Sequence, residues 1–140
     1  MIAGLIIKKM VRENYEALTQ NNFAKLVSSY RDDATLIFPG EVAGSGTFKG
    51  KAAIEGWFRQ WFDQFPSTHF DIKDIYVKSI FGFRTNTVAV HWDIQVTNRY
   101  GRAFKNSGVS VYEIKGGKAF RSTDFIFDQG ENFKSVWETV

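Results

Sequence analysis

His91 and Asp93 stand two residues apart in a segment, Thr87 to Thr97, whose residues alternate between apolar and polar types. On a strand, residues i and i+2 project from one face, so the two side chains would have Cβ atoms roughly 6 to 7 Å apart and could share a substrate or a water. A carboxylate beside an imidazole raises the imidazole's pKa and helps to orient it, which is how a general acid–base pair is built. A third candidate, Asp124, lies in the middle of Lys118 to Asp128, with Asp128 as its alternative. If Asp124 is buried beside Asp93, one of the two carboxyls should keep a proton at neutral pH and act as an acid. Asn106, Ser110 and Tyr112 share a face of the preceding segment and could add hydrogen bonds to a ligand. Blander readings remain open: a solvated polar face or a structural hydrogen bond for His91 and Asp93, and an ion pair to Arg121 for Asp124.

Helices and strands must carry these groups. Ile6, Met10, Tyr15 and Leu18 recur at spacings of four, five and three, predicting a helix from Ile6 to about Thr19. Asn21 and Asn22 break it, and Asn22 is a suitable N-cap for a second, short helix over Phe23 to Tyr30. Ala34 to Phe38 reads as a buried strand stopped by Pro39-Gly40, and the glycine-rich segment Gly44 to Gly50 as a loop with room for a short strand. Lys51 to Phe65 is the clearest helix, since Ile54, Trp57, Phe58, Trp61, Phe62 and Phe65 form one wide apolar stripe that Pro66 ends. The period then changes from 3.6 to 2. Phe70 to Ile80, Thr87 to Thr97, Arg102 to Lys115 and Lys118 to Asp128 read as four strands, with turns at 83–86, 98–101 and 116–117. Short links make them antiparallel neighbours.

Composition bounds the function. The 140 residues fit one domain, 1–140, with disorder allowed at about residues 1–5. Fourteen Phe, five Tyr and four Trp exceed what a small core needs, which points to an aromatic-lined cavity or an intersubunit contact. Lys and Arg exceed Asp and Glu by only 18 to 15 and are scattered, so nucleic-acid binding is not expected. With no cysteine there is neither a disulfide framework nor a thiolate site, and the His-x-Asp pair supplies two metal ligands without a third. Gly44 to Gly50 lacks the strand-to-helix context of a phosphate loop. His69 is expected to be an exposed loop residue. The apolar start, Met1 to Ile7, is too short to cross a bilayer and lacks a signal peptide's flanks, so a cytoplasmic protein without membrane contact is expected.

The order of elements and several local phrases resemble the nuclear transport factor 2-like superfamily, in particular its SnoaL-like and ketosteroid-isomerase-like branches. The phrases are Tyr15-Glu16-Ala17-Leu18 with Phe23-Ala24-Lys25-Leu26, then Tyr30-Arg31-Asp32-Asp33-Ala34-Thr35, then Phe48-Lys49-Gly50-Lys51-Ala52-Ala53-Ile54, and Tyr112-Glu113-Ile114-Lys115-Gly116-Gly117-Lys118. The resemblance covers nearly the whole chain. It implies an α+β fold, a cystatin-like α+β roll in which a cone-shaped, curved antiparallel sheet wraps around about three N-terminal helices. It also implies an apolar small molecule inside the cone and a homodimer through the outer sheet face. If Val88, Val90, Trp92, Ile94 and Val96 pack against that partner, His91 and Asp93 face the cavity.

This fold hosts isomerases, cyclases, hydrolases and non-catalytic binders, so the resemblance implies a site more than a reaction. Against limonene epoxide hydrolases, His91 and Asp93 fall at the Arg-x-Asp pair and Asp124 near the second aspartate. The tyrosine and asparagine that hold water there fall at Leu36 and Phe38. Against ketosteroid isomerases, the base aspartate falls at Phe38, the oxyanion-hole aspartate near Ser110, and the tyrosine near Asn14 and Tyr15. The expectation is therefore a cofactor-independent lyase, isomerase or hydrolase in which His91, Asp93 and Asp124 move protons while Phe38, Trp57, Trp61, Ser110 and Tyr112 contact the substrate. The alternative is a binding or protein-interaction module without turnover.

Overall fold

A computed structural model describes residues 2–78 and 85–138. The element order is α1 (Ile2–Thr19), α2 (Phe23–Ser28), β1 (Tyr30–Phe38), β2 (Gly46–Lys49), α3 (Lys51–Gln64), β3 (Ser67–Lys78), β4 (Asn86–Thr97), β5 (Ala103–Lys115), β6 (Lys118–Ile126) and α4 (Glu131–Val136). Residues 79 and 80 of the strand expected from Phe70 to Ile80, and 83 and 84 of the turn after it, lie outside the described residues.

The local signals act where their physics says they should. Asn21 takes a left-handed φ of 53°, which asparagine tolerates, and turns the chain between the first two helices. Asn22 Oδ1 then accepts a hydrogen bond from the Lys25 N–H at 3.3 Å and caps α2. Helix α1 begins at Ile2, earlier than expected, and of the expected stripe Met10, Tyr15 and Leu18 face inward while Ile6 is 59% exposed; Ile7 and Val11 complete the buried side at a spacing of four from Tyr15. The stripe ending in Tyr15 is the one that meets the sheet, through an edge-to-face contact with Phe70 at 4.9 Å.

The six strands form one sheet in the order β2-β1-β6-β5-β4-β3. All neighbours are antiparallel except β1 and β6, which run parallel, with Leu36 opposite Ser122. That pair joins the first strand to the last and curls the sheet around α1, α2 and α3. The helices cover the concave face, so the apolar side of each strand must turn toward them. On β4 that side is Val88, Val90, Trp92, Ile94 and Val96, all buried. The expectation that these five face a partner subunit is thus reversed: they line the inside of the cone, and His91 and Asp93 lie on the convex face.

The pattern of the sequence suggests no element after Asp128, yet α4 and Trp137 form part of the cavity wall. Trp137 packs against Phe65 at 4.8 Å, Phe38 at 5.5 Å and Trp61 at 5.6 Å between ring centroids. Its indole lies so close over Gly44 that a Cβ there would sit 2.4 Å from the ring. Gln64 Nε2 donates to the Val136 and Glu138 carbonyls at 2.8 and 3.0 Å, and Asn98 Nδ2 to Val136 at 3.1 Å. These bonds satisfy carbonyls that the end of a helix leaves unpaired. Among the described residues no helix is long and apolar enough to cross a membrane.

Candidate active site

Inside the cone is a cavity of about 120 Å³ bounded by helices, sheet and the C-terminal segment. Most of its wall is aromatic or aliphatic. Trp57 and Trp61 line it, and their N–H groups are used elsewhere, on the Gly44 carbonyl at 2.9 Å and on Thr68 Oγ1 at 3.2 Å. Phe38 packs on Trp57 at 5.3 Å and completes this part of the wall.

The polar atoms gather in one belt across β5 and β6. Ser110 pairs with Asp124, and Tyr112 with Ser122 one step along. Trp92 Nε1 donates to Ser110 Oγ at 2.9 Å, and Ser110 Oγ donates to Asp124 Oδ1 at 2.6 Å. An indole N–H can only donate, so Ser110 must accept from it, and the single hydroxyl proton of the serine is directed to the carboxyl. Among the described residues no hydrogen bond reaches Asp124 Oδ2. Tyr15 and Tyr112 join hydroxyls at 2.7 Å, and Tyr30 joins Ser122 at 3.2 Å.

Electrostatics follows from this burial. Desolvation pushes the Asp124 carboxyl up to about 6, against the opposing pull of the Ser110 hydrogen bond. The group therefore changes protonation close to neutral pH, where a proton-transfer group is most effective. Burial also raises Tyr15, Tyr30 and Tyr112 well above the usual phenol range, and the Asp124 charge adds to it in all three. The three tyrosines are neutral hydrogen-bonding groups at physiological pH.

Of the residues singled out in the sequence, Asp124, Phe38, Trp57, Trp61, Ser110 and Tyr112 all line this cavity. Asp128 does not, since it follows β6, where its Oδ1 accepts from the Gly130 N–H at 2.8 Å. His91 and Asp93 are separated from Asp124 by the thickness of the sheet. The His91 ring lies 5.9 Å from that of the exposed Phe127. Asp93 accepts from Ser107 Oγ at 2.6 Å and pairs with Lys73 Nζ at 3.3 Å, and these contacts, led by the serine, hold its carboxyl below the usual range. Asp93 is thus an ionised surface carboxylate paired to a lysine. His69 is exposed but belongs to β3 rather than to a loop. Among the described residues no group of three or more His, Cys, Asp or Glu side chains could hold a metal ion.

Residue reading overlooked Trp92, Tyr30 and Ser122, and it met Tyr15 only as a loose counterpart of the isomerase tyrosine. A signal existed: a tyrosine within an apolar helical stripe, or a tryptophan on the apolar side of a strand, needs a buried partner for its polar atom. The partners lie 97, 92 and 18 residues away for Tyr15, Tyr30 and Trp92 respectively, so the signal could not name them.

A family model described as a SnoaL-like domain matches residues 11–122. No curated protein matches the chain. Solved structures do. Bal32a, from a soil-derived mobile gene cassette, is 20% identical, with 94% of this chain and 95% of that one covered at a TM-score of 0.75. A nuclear transport factor 2-like protein of Burkholderia pseudomallei is 18% identical over 95% and 97% of the two chains, at 0.73. A candidate aromatic ring hydroxylase of Novosphingobium aromaticivorans is 18% identical over 89% and 88%, at 0.75. At these identities the likeness is one of fold.

Proposed function

This chain belongs to the SnoaL-like domain family of the nuclear transport factor 2-like superfamily, and from that premise we propose that its cone is an acid–base site for an apolar small molecule. The observation that carries this reading is Asp124, a carboxyl titrating near 6 in an apolar cavity, with Oδ1 held by Ser110 and Oδ2 without a hydrogen bond among the described residues. Ionised, Asp124 takes a proton from a bound substrate; protonated, it returns one. The Tyr15–Tyr112 pair needs only one of its two hydroxyl protons for itself, so the other is available to a substrate oxygen. A single shuttled proton of this kind serves an isomerase, a lyase or, with a bound water, a hydrolase. The reading draws no chemistry from His91 or Asp93, which lie on the far face of the sheet. An engineered cavity of about 150 Å³ holds benzene, so the substrate or its reacting part is about one ring in size.

The test is a panel of single-ring enolisable ketones, lactones and epoxides followed by NMR in deuterated buffer. Deuterium exchange or turnover should appear, should change with pH around 6, and should vanish in Asp124→Asn. Turnover that survives in Asp124→Asn, or that is lost in His91→Ala instead, rejects the reading. Binding without turnover in the wild type favours a binding module.

The same family premise supports a homodimer through the convex face. Phe125 and Phe127 are 53% and 63% exposed there, beside Val109, Val111 and His91, and among the described residues no helix covers them. Exposed aromatic side chains grouped on one face are a feature of protein–protein contacts. Sedimentation should give a dimer for the wild type and a monomer for the double variant Phe125→Asp, Phe127→Asp; a monomeric wild type removes the proposal.

A further inference from the structure

Among the described residues Asp124 is the only Asp or Glu that lines the cavity, and no Lys, Arg or His does. It takes part in no ion pair among the described residues. A carboxylate withdrawn from water without an opposite charge is costly, and two things relieve it: a proton, or a cation brought by a ligand. Around this carboxyl the wall is largely aromatic. Tyr15 and Tyr112 meet edge to face at 6.4 Å, Trp92 reaches the carboxyl through Ser110, and Tyr30 sits behind Ser122. Ring faces attract cations, most strongly where water is excluded. An anion there would meet the charge of ionised Asp124, with no cationic side chain among the described lining residues to offset it.

We propose that the cavity takes a compact organic ammonium ion, with the charged nitrogen against Asp124 Oδ2 and the apolar body against the Phe38, Trp57 and Trp61 wall. This names a ligand class for the site described above and rests on Asp124 being its working group. The ammonium N–H groups bond to Oδ2 and to lone pairs of the tyrosine hydroxyls, while the carbon skeleton fills the remaining space. A volume of about 120 Å³ limits that skeleton to one ring or a short branched chain. The free protein keeps Asp124 available by letting it protonate near 6, and a bound cation takes the place of that proton. Affinity is therefore low where the carboxyl is protonated and reaches its full value above pH 7. The other titratable groups facing Asp124 are Tyr15 on α1, Tyr30 on β1 and Tyr112 on β5, all raised by burial, so none changes charge between pH 5 and 8.

Calorimetry with cyclohexylamine and its neutral analogue cyclohexanol tests this. An aliphatic amine is protonated throughout pH 5 to 8, so any pH effect belongs to the protein. At pH 8 the ammonium ion is expected to bind at least tenfold more tightly than the alcohol. At pH 5, where about one tenth of Asp124 is ionised, its affinity should fall about tenfold while that of the alcohol stays level. Asp124→Asn should erase both differences and still bind cyclohexanol, which shows that the variant is folded. Equal or tighter binding of cyclohexanol at pH 8, or amine binding indifferent to pH and to Asp124→Asn, overturns the proposal. If the alcohol binds and the ketone panel turns over while the amine does not bind, only the ammonium assignment falls. If neither ligand binds and nothing turns over, the acid–base reading falls with it.

Discussion

Asp124→Asn is expected to give a protein more stable than the wild type above pH 7, by about 2 to 3 kcal/mol, and at least 100-fold less active. Burial raises this carboxyl from an unfolded value near 4 to about 6, so the native state holds the proton more tightly than the unfolded chain does. Stability from that proton is complete below pH 4 and is lost as pH rises through 6, because above it the folded protein must keep an uncompensated carboxylate out of water. Two pKa units correspond to about 3 kcal/mol. Asparagine has the same shape, keeps an oxygen for Ser110, and carries no charge at any pH. Urea unfolding at pH 4.5 and pH 8 measures the effect: the variant's advantage should be small at the lower pH and several-fold larger at the higher. Asp33 and Asp93, whose carboxyls are shifted downward, are common to both proteins and cancel in the difference. An advantage that does not change with pH would mean that Asp124 is not the buried acid described here. The activity loss follows because an amide cannot exchange the proton, and general acid–base groups contribute about 100- to 10,000-fold.

The second large effect is expected at Gly108. It pairs with Trp92 across β4 and β5, and the missing side chain is what lets the indole lie over the neighbouring strand and reach Ser110. A Cβ added there would stand 2.4 Å from the Phe125 carbonyl oxygen and 2.7 Å from two atoms of the Trp92 ring. The carbonyl belongs to the sheet backbone and the ring is buried, so neither gives way cheaply. Gly108→Ala should cost about 3 kcal/mol or more, the upper range for overpacking, and should displace the indole from Ser110. Gly56→Ala is the control, because Gly56 is in α3 with nothing within 4 Å of an added Cβ and should gain about 0.5 to 1 kcal/mol. Urea midpoints and the NMR shift of the Trp92 indole proton report both effects. A Gly108→Ala protein with wild-type stability and an unmoved indole signal would contradict the packing described for this strand.

Several features were legible in the chain itself because their causes are local. The cap at Asn22, the stop at Pro66, the aromatic stripe of α3 and the alternation along β4 and β6 depend on neighbours within a few residues, and each appears where its pattern lies. Alternation identifies two faces of a strand but not which is inside, since the pattern reads the same either way. The helix layer decides that, and it sent Trp92 inward and His91 and Asp93 outward. The parallel pairing of β1 with β6 joined the two parts of the sheet, and α4 with Trp137 packed onto the cavity wall through contacts that no local period encodes. Asp124 was visible as a carboxylate in mid-strand. Its pKa near 6 was not, because it depends on desolvation by walls from α1, β1, β4 and β5, and on a serine 14 residues away whose hydroxyl is aimed by an indole on a third strand.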